Sequence, residues 1–315
     1  MIQSAISMQQ YGKARGENYM KKRHSILALV LMICMMLSCS AFPTFAASGN
    51  YVNVQVTQNY SDAQQVLKLI NKQRAKRGLK KLKLDRNLTD SAVKRAIELT
   101  VYIPEQSPHR RPNGKVGKSI NKKINYECCA EGYMSPKAVM SGWMSSKPHK
   151  RGILLKGARS VGIGCVTSEN GDKFWTLEFS SKKAKKKETR KTVVPKTYKV
   201  VANSKYLTKK HFWMSLPEEF YFDDGTGTPS VYVGEPSRLG VYYTNNFNFN
   251  TLLRGADFTW TSSNNAVATV DANGRITPIA AGTVTITAKM KIPLGYTFTK
   301  RLVVEDPGDY DDYYW

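Results

Sequence analysis

The chain has 315 residues, long enough for two domains with extensions. Hydrophobic residues make up 41% and aromatics 10%, which supplies a buried core and excludes wholesale disorder. Lys and Arg number 48 against 24 Asp and Glu, but the net +24 is local: +4 over residues 1–46, +14 over 47–180, +8 over 181–199 and −2 over 200–315. A positive field confined to one domain and the segment after it excludes a chain that coats nucleic acid along its whole length.

Residues 1–46 read as an N-terminal extension and signal peptide. Lys21, Lys22, Arg23 and His24 form a basic cluster, Ile26 to Leu37 is an apolar run, and Thr44-Phe45-Ala46 offers a cleavage site after Ala46. The run is shorter than the roughly 20 apolar residues of a membrane span, so membrane contact is expected only if this segment stays uncleaved. Residues 1–19 have no signal character, which leaves Met1 and Met20 as alternative starts, and Cys39 follows a poor lipoprotein box. Export fits the cysteine usage. Cys34 and Cys39 fall in the signal segment, and the remaining Cys128, Cys129 and Cys165 allow one bridge, from Cys165 to either neighbour, or three buried thiols.

From Ser61 the pattern is helical. Ser61 and Gln64 have capping-box spacing, Ala63, Val66, Leu67 and Ile70 share a face, and Gly78 supplies a stop. A second amphipathic helix places Leu88, Ala92, Ala96 and Leu99 inward, and a third starts at Ser135-Pro136 and buries Val139, Met140 and Trp143. Val161 to Val166 and Phe174 to Phe179 read as strands. Helices flanking a small sheet give a layered α+β domain over residues 62–180.

The ordered series Val66-Leu-Lys-Leu-Ile-Asn71, Arg74, Gly78-Leu79, His109-Arg-Arg-Pro-Asn-Gly114, Glu127, Gly132, Trp143-Met144, Ser146, His149 and Val161-Gly-Ile-Gly164 resembles the bacterial branch of the CAP superfamily, relatives of the cysteine-rich secretory and pathogenesis-related proteins. The resemblance implies an α-β-α sandwich with a cleft carrying two His and two Glu. His109 and His149 match the histidines and Glu127 matches one carboxylate. Ser146 stands where the second Glu is expected, and Cys128 replaces the Asn after Glu127.

Two histidines and a carboxylate converging in a cleft carry three chemistries. They supply donors for a divalent metal such as zinc, a general base with its orienting carboxylate, or a hydrogen-bonded network that fixes the cleft. Glu131 is the nearest candidate for a second carboxylate. No nucleophile motif stands beside the set, and a Cys128 or Cys129 couple with histidine is disfavoured by the adjacent Glu127.

Residues 181–207 read as a basic linker, with nine Lys and Arg against one Glu over 181–199. Such a segment next to a basic domain is expected to seek anionic cell-wall polymers or acidic extracellular glycans; export removes nucleic acid as a target. Residues 208–306 shift to alternating β-formers. Phe258-Thr-Trp-Thr-Ser-Ser-Asn264, Val267-Ala-Thr-Val-Asp271, Gly274-Arg-Ile276 and Ala281 to Ala288 resemble the group 2 bacterial immunoglobulin-like domain, implying an all-β sandwich that acts as spacer or adhesive module. Asn273-Gly274 marks a hairpin, Trp260 a core position and His211 an ordinary residue. Residues 307–315, with Asp306 beside them, form an acidic aromatic tail able to meet the basic linker or a cation, or simply a solvated end. The resulting expectation is a secreted, cell-wall-associated binding protein whose cleft recognises an extracellular ligand. The alternatives are an extracellular hydrolase, a protease or peptidoglycan-active enzyme using His109, Glu127 and His149, and a lipid carrier.

Overall fold

The computed structural model describes residues 50–106, 109–216, 228–291 and 293–307. The signal segment, with Met20 and Cys39, and most of the acidic tail lie outside the described residues.

The first lobe is built on a sheet of β1 (Tyr51–Asn59), β2 (Lys83–Leu84), β3 (Tyr126–Glu131), β4 (Ser160–Thr167), β5 (Lys173–Ser180) and β6 (Val193–Val201). Its order is β3-β5-β4-β1-β6, antiparallel throughout, with β2 beside β4 in parallel. Helices α1 (Tyr60–Ala75) and α3 (Pro136–Ser145), with the short α4 (Lys147–Ile153), cover one face, and α2 (Arg86–Leu99) covers the other. The expected α-β-α sandwich is present. Ala63, Val66, Ile70, Val139, Met140 and Trp143 pack against Ile163, Trp175, Leu177 and Phe179 in a dry core between α1, α3 and the sheet. Opposite them, Gly162 and Gly164 bring α2 close: a Cβ on either would sit 2.2 Å from a backbone carbonyl oxygen, of Leu88 or Ala92.

The fold corrects several expectations. Helix α1 is capped by Asn59, whose Oδ1 accepts from the Asp62 amide at 2.9 Å, two residues before the expected Ser61. The lobe also starts before residue 62, because β1 is part of its sheet. The basic stretch is no free linker: β6 pairs with β1 from Tyr51↔Val201 to Asn59↔Val193, and Asp85 accepts from the Lys185 amide at 2.8 Å. Val193, Val194 and the lysines are exposed because β6 is an edge strand left largely open to solvent. Cys128, Cys129 and Cys165 are all buried and unbridged. Strands β3 and β4 are separated by β5, which sets them about 9.5 Å apart and beyond disulfide reach.

The second lobe contains β7 (Phe212–Ser215), β8 (Ser230–Tyr232), β9 (Ser237–Arg238), β10 (Gly240–Thr244), β11 (Asn250–Leu252), β12 (Phe258–Ser262), β13 (Ala268–Val270), β14 (Arg275–Pro278), β15 (Gly282–Met290) and β16 (Thr297–Glu305). They form sheets ordered β12-β15-β16-β8, β13-β14-β9 and β11-β10-β7. Trp260 is buried between them and donates Nε1 to the Gly255 carbonyl at 2.9 Å. Gly274 closes the β13–β14 turn at φ +82°, the positive φ expected of the hairpin.

The lobes share a core. Val52, Val54, Val56, Leu99 and Phe174 belong to one buried cluster with Val241, Tyr243, Leu253, Phe258 and Trp260. Polar contacts seal the seam: Asn53 Nδ2 donates to Asp257 Oδ2 at 2.8 Å, Asn245 Nδ2 to the Leu99 carbonyl at 3.1 Å, and Asn246 Oδ1 accepts from the Ile103 amide at 2.9 Å. The second lobe is therefore docked, not strung on a flexible spacer.

Candidate functional site

Strand alternation sorts the chemistry. In the β3–β5 pair Glu127 lies opposite Glu178 and Cys129 opposite Thr176, and these four project from the sheet face that α2 covers. Cys128, Ala130, Trp175 and Leu177 project into the dry core on the other side.

Arg95 of α2 is fully buried and reaches down onto this face. Its Nε lies 3.3 and 3.4 Å from the two oxygens of Glu127, its Nη2 donates to the Arg110 carbonyl at 3.1 Å, and its Nη1 lies 3.6 Å from Glu98. Glu98 in turn holds Arg111, whose Nε donates at 2.9 and 3.1 Å. His109 enters from the loop after α2 and places Nδ1 3.0 Å from Glu127 Oε1. The His109 side chain is 23% exposed against 7% for Glu127, so the imidazole is the face the network shows to solvent. Gly117 leaves room for the carboxylate, since a Cβ there would lie 2.6 Å from Oε1.

The electrostatics follow from burial and partners. Burial pushes the Glu127 carboxyl up, but the hydrogen bond from His109 and the charge of Arg95 outweigh it and hold Glu127 below the usual value. Glu178, buried with only the Ser91 hydroxyl donating to it and one oxygen without a partner, is pushed well above the usual range by burial. Two carboxyl groups on facing residues are thus shifted in opposite directions. Burial, then the charge of Glu127, raises the Cys129 thiol well above its ordinary value; its Sγ lies 3.4 Å from Glu127 Oε1. Cys128 is raised for the same two reasons, and its Sγ lies 3.9 Å from the backbone carbonyl of His149. Neither thiol is an activated nucleophile.

The predicted residues are brought together unequally. His109 and Glu127 are in contact. His149 sits on α4, half-buried, and is lowered by burial and by the charge of His109; it stands outside the tight cluster of His109, Glu127 and Cys129, whose ligand atoms lie within 4.8 Å of one another. Ser146 links α3 to α4 and caps neither with its side chain. Glu131 shares the face of Glu127 but lies four residues along β3, about 13 Å away, so it does not complete the site. His211 packs against Tyr243 in the other lobe.

Residues 67–179 match the family model of the cysteine-rich secretory protein family, CAP, and residues 232–294 that of the bacterial Ig-like domain, group 2. The chain thus carries a CAP domain and a group 2 bacterial Ig-like domain. It is 32% identical over 149 residues to the uncharacterized protein YkwD of Bacillus subtilis (strain 168), covering 46% of this chain and 57% of the relative, so it spans just over half that relative's length. Among solved structures it is similar to an outer surface protein from Borrelia burgdorferi (20% identity, 40% of this chain and 93% of that one, TM-score 0.33). It is also similar to an extracellular protein containing a SCP domain from Bacillus anthracis str. Ames (22%, 38% and 40%, TM-score 0.31).

A dication held by Glu127 does not fit the CAP-domain cluster. The Arg95 guanidinium already lies against both Glu127 oxygens, and His109 Nδ1 is committed to Oε1. An ion there would face a buried positive charge about a hydrogen bond away from its own carboxylate ligand.

Sequence reasoning missed Arg95, Glu98, Arg111 and Glu178. Arg95 carried a signal, because it falls on the same helical stripe as Leu88, Ala92 and Leu99, where a charge demands a partner. Glu178 alternates with Thr176 in a strand whose intervening positions, Trp175, Leu177 and Phe179, are apolar.

Proposed function

We propose that this protein is a secreted, cell-wall-associated binding protein, held by ionic attraction between its CAP domain and anionic wall polymers or acidic glycans. The observation that carries the reading is charge segregation: the +14 of residues 47–180 and the +8 of 181–199 lie on one lobe and its edge strand, while residues 200–315 carry −2. The docked Ig-like domain acts as a rigid spacer that presents this basic lobe. The site chemistry agrees, since a network that pairs Glu127 with Arg95 and His109 fixes the cleft for recognition and leaves no activated nucleophile. Export through the segment ending at Ala46 belongs to the same proposal, and N-terminal sequencing of the extracellular protein tests it.

The direct test is co-sedimentation of the purified protein with isolated cell walls, before and after removal of their anionic polymers, from about 0.1 M to about 1 M salt, where the screening length falls from about 10 Å to about 3 Å. Binding that needs those polymers and fades with salt supports the proposal. No binding at low salt overturns it.

One observation favours a second reading, hydrolysis by acid-base catalysis. The His109 Nδ1 contact with Glu127 is the arrangement of a base and its orienting carboxylate. Turnover of peptidoglycan or casein that drops about a hundredfold or more in His109→Ala would support it; turnover unchanged in that variant removes His109 from the mechanism.

A further inference from the structure

Helix α2 lies mainly over β4 and β5 and barely reaches β1 and β6, and between it and β6 lies a groove of about 520 Å³. That volume falls within the range of about 300–1,000 Å³ typical of small-ligand sites. The groove lies on the same sheet side as the His109–Glu127 cluster, but neither of those residues lines it. Its base is apolar, from Val93, Ile97 and Val200, which are buried or nearly so.

Its rim is cationic. Lys94 comes from α2, and Lys196 and Lys199 from β6. The acids that line the groove are already engaged: Asp90 pairs with Arg190, and Glu98 with Arg111 and Arg95. Among the described residues, Lys94, Lys196 and Lys199 have no carboxylate partner; Lys196 and Lys199 rest only on the rings of Tyr198 and Tyr51, at 5.2 and 3.7 Å. Tyr198 stands half-buried in the wall between the two β6 lysines, offering a ring beside the charges.

We propose that this groove is a binding site for an anionic saccharide chain, the sugar faces lying on Tyr198 and the apolar base while phosphate or carboxylate groups meet Lys94, Lys196 and Lys199. Apolar base and cationic rim together match a polymer with alternating apolar faces and negative charges better than they match a neutral glycan or a simple ion. The inference rests on the wall-binding reading and deepens it: the adhesive part of the basic lobe is a shaped groove, not diffuse charge.

The test measures the affinity of the full chain for three immobilised probes at low salt: phosphomannan, oligogalacturonate and neutral dextran. The groove variant Lys94→Ala/Lys196→Ala/Lys199→Ala is compared with a charge-matched control, Lys182→Ala/Lys183→Ala/Lys186→Ala, whose lysines are exposed and lie outside the groove. Thermal melts establish that both fold. We expect binding to one or both anionic probes and none to dextran, weakened about tenfold in the groove variant and less than about twofold in the control. The preferred anionic probe distinguishes phosphate from carboxylate. Equal weakening in both variants overturns the groove and leaves the wall-binding reading standing, whereas a wild-type chain that binds neither anionic probe removes the wall-binding reading itself.

Discussion

The two faces of the CAP sheet are made from alternate residues of the same strands. Toward α1 and α3 stand Cys128, Ala130, Ile163, Cys165, Trp175 and Leu177, a dry core. Toward α2 stand Glu127, Cys129, Gly162, Gly164, Thr176 and Glu178, where helix and sheet are joined by an arginine-carboxylate network and by backbone contact allowed by glycine. A hydrophobic face tolerates local repacking. A buried ionic face is sensitive to loss of any one partner, because the charge left behind has no water to turn to.

Substitutions can break that contrast. The largest effect is expected at Gly164→Val, which drives a side chain into the Ala92 carbonyl and should cost about 3 kcal/mol or more in chemical denaturation, whereas Gly157→Ala, with open space around it, should stay within about 0.5 kcal/mol. Next comes Arg95→Met. Removing one partner of a buried pair costs about 3–5 kcal/mol, and here the loss should be pH-dependent. The folded state holds Glu127 below its ordinary value, so its contribution is present above the unfolded pKa and fades as pH falls through the folded one; the deficit of Arg95→Met should be greatest at neutral pH and shrink below about pH 4. On the dry face, Trp175→Phe removes a 2.8 Å hydrogen bond to the Tyr133 carbonyl and should cost about 1–3 kcal/mol with no such pH dependence.

Glu178→Gln sharpens the comparison with the opposite sign. Burial raises the Glu178 carboxyl, so its stabilising neutral form is fully present below the unfolded pKa and lost as pH rises. The glutamine copies the neutral form, and its melting temperature should exceed the wild-type value at pH 8 and match it at pH 4. The smallest effect concerns the thiols: Cys128, Cys129 and Cys165 should resist a thiol reagent at pH 8 in the native state and react only on unfolding, while a bridged pair in the native protein would contradict the fold.

Much of the fold was legible because its signals are local. The inward stripe of α2, the Ser135 cap and the Asn273-Gly274 turn each depend on a few neighbouring residues. The role of residues 193–201 was not, because an edge strand largely open to solvent carries lysines as a linker does, and its partner β1 lies about 140 residues earlier. In the site, His109 and Glu127 were readable from the family motif. Glu178 was hidden by pairing register: only the β3–β5 ladder puts it beside Glu127, and spacing along the chain points instead to Glu131.

The central claim is that Arg95 and His109 already satisfy Glu127, so that this carboxylate anchors a positioning network and is not a metal ligand. Calorimetric titration of the purified protein with zinc, in the wild type and in Glu127→Gln, tests it most directly. The structure predicts no stoichiometric site that depends on Glu127; one zinc bound per chain in the wild type and lost in Glu127→Gln would contradict it.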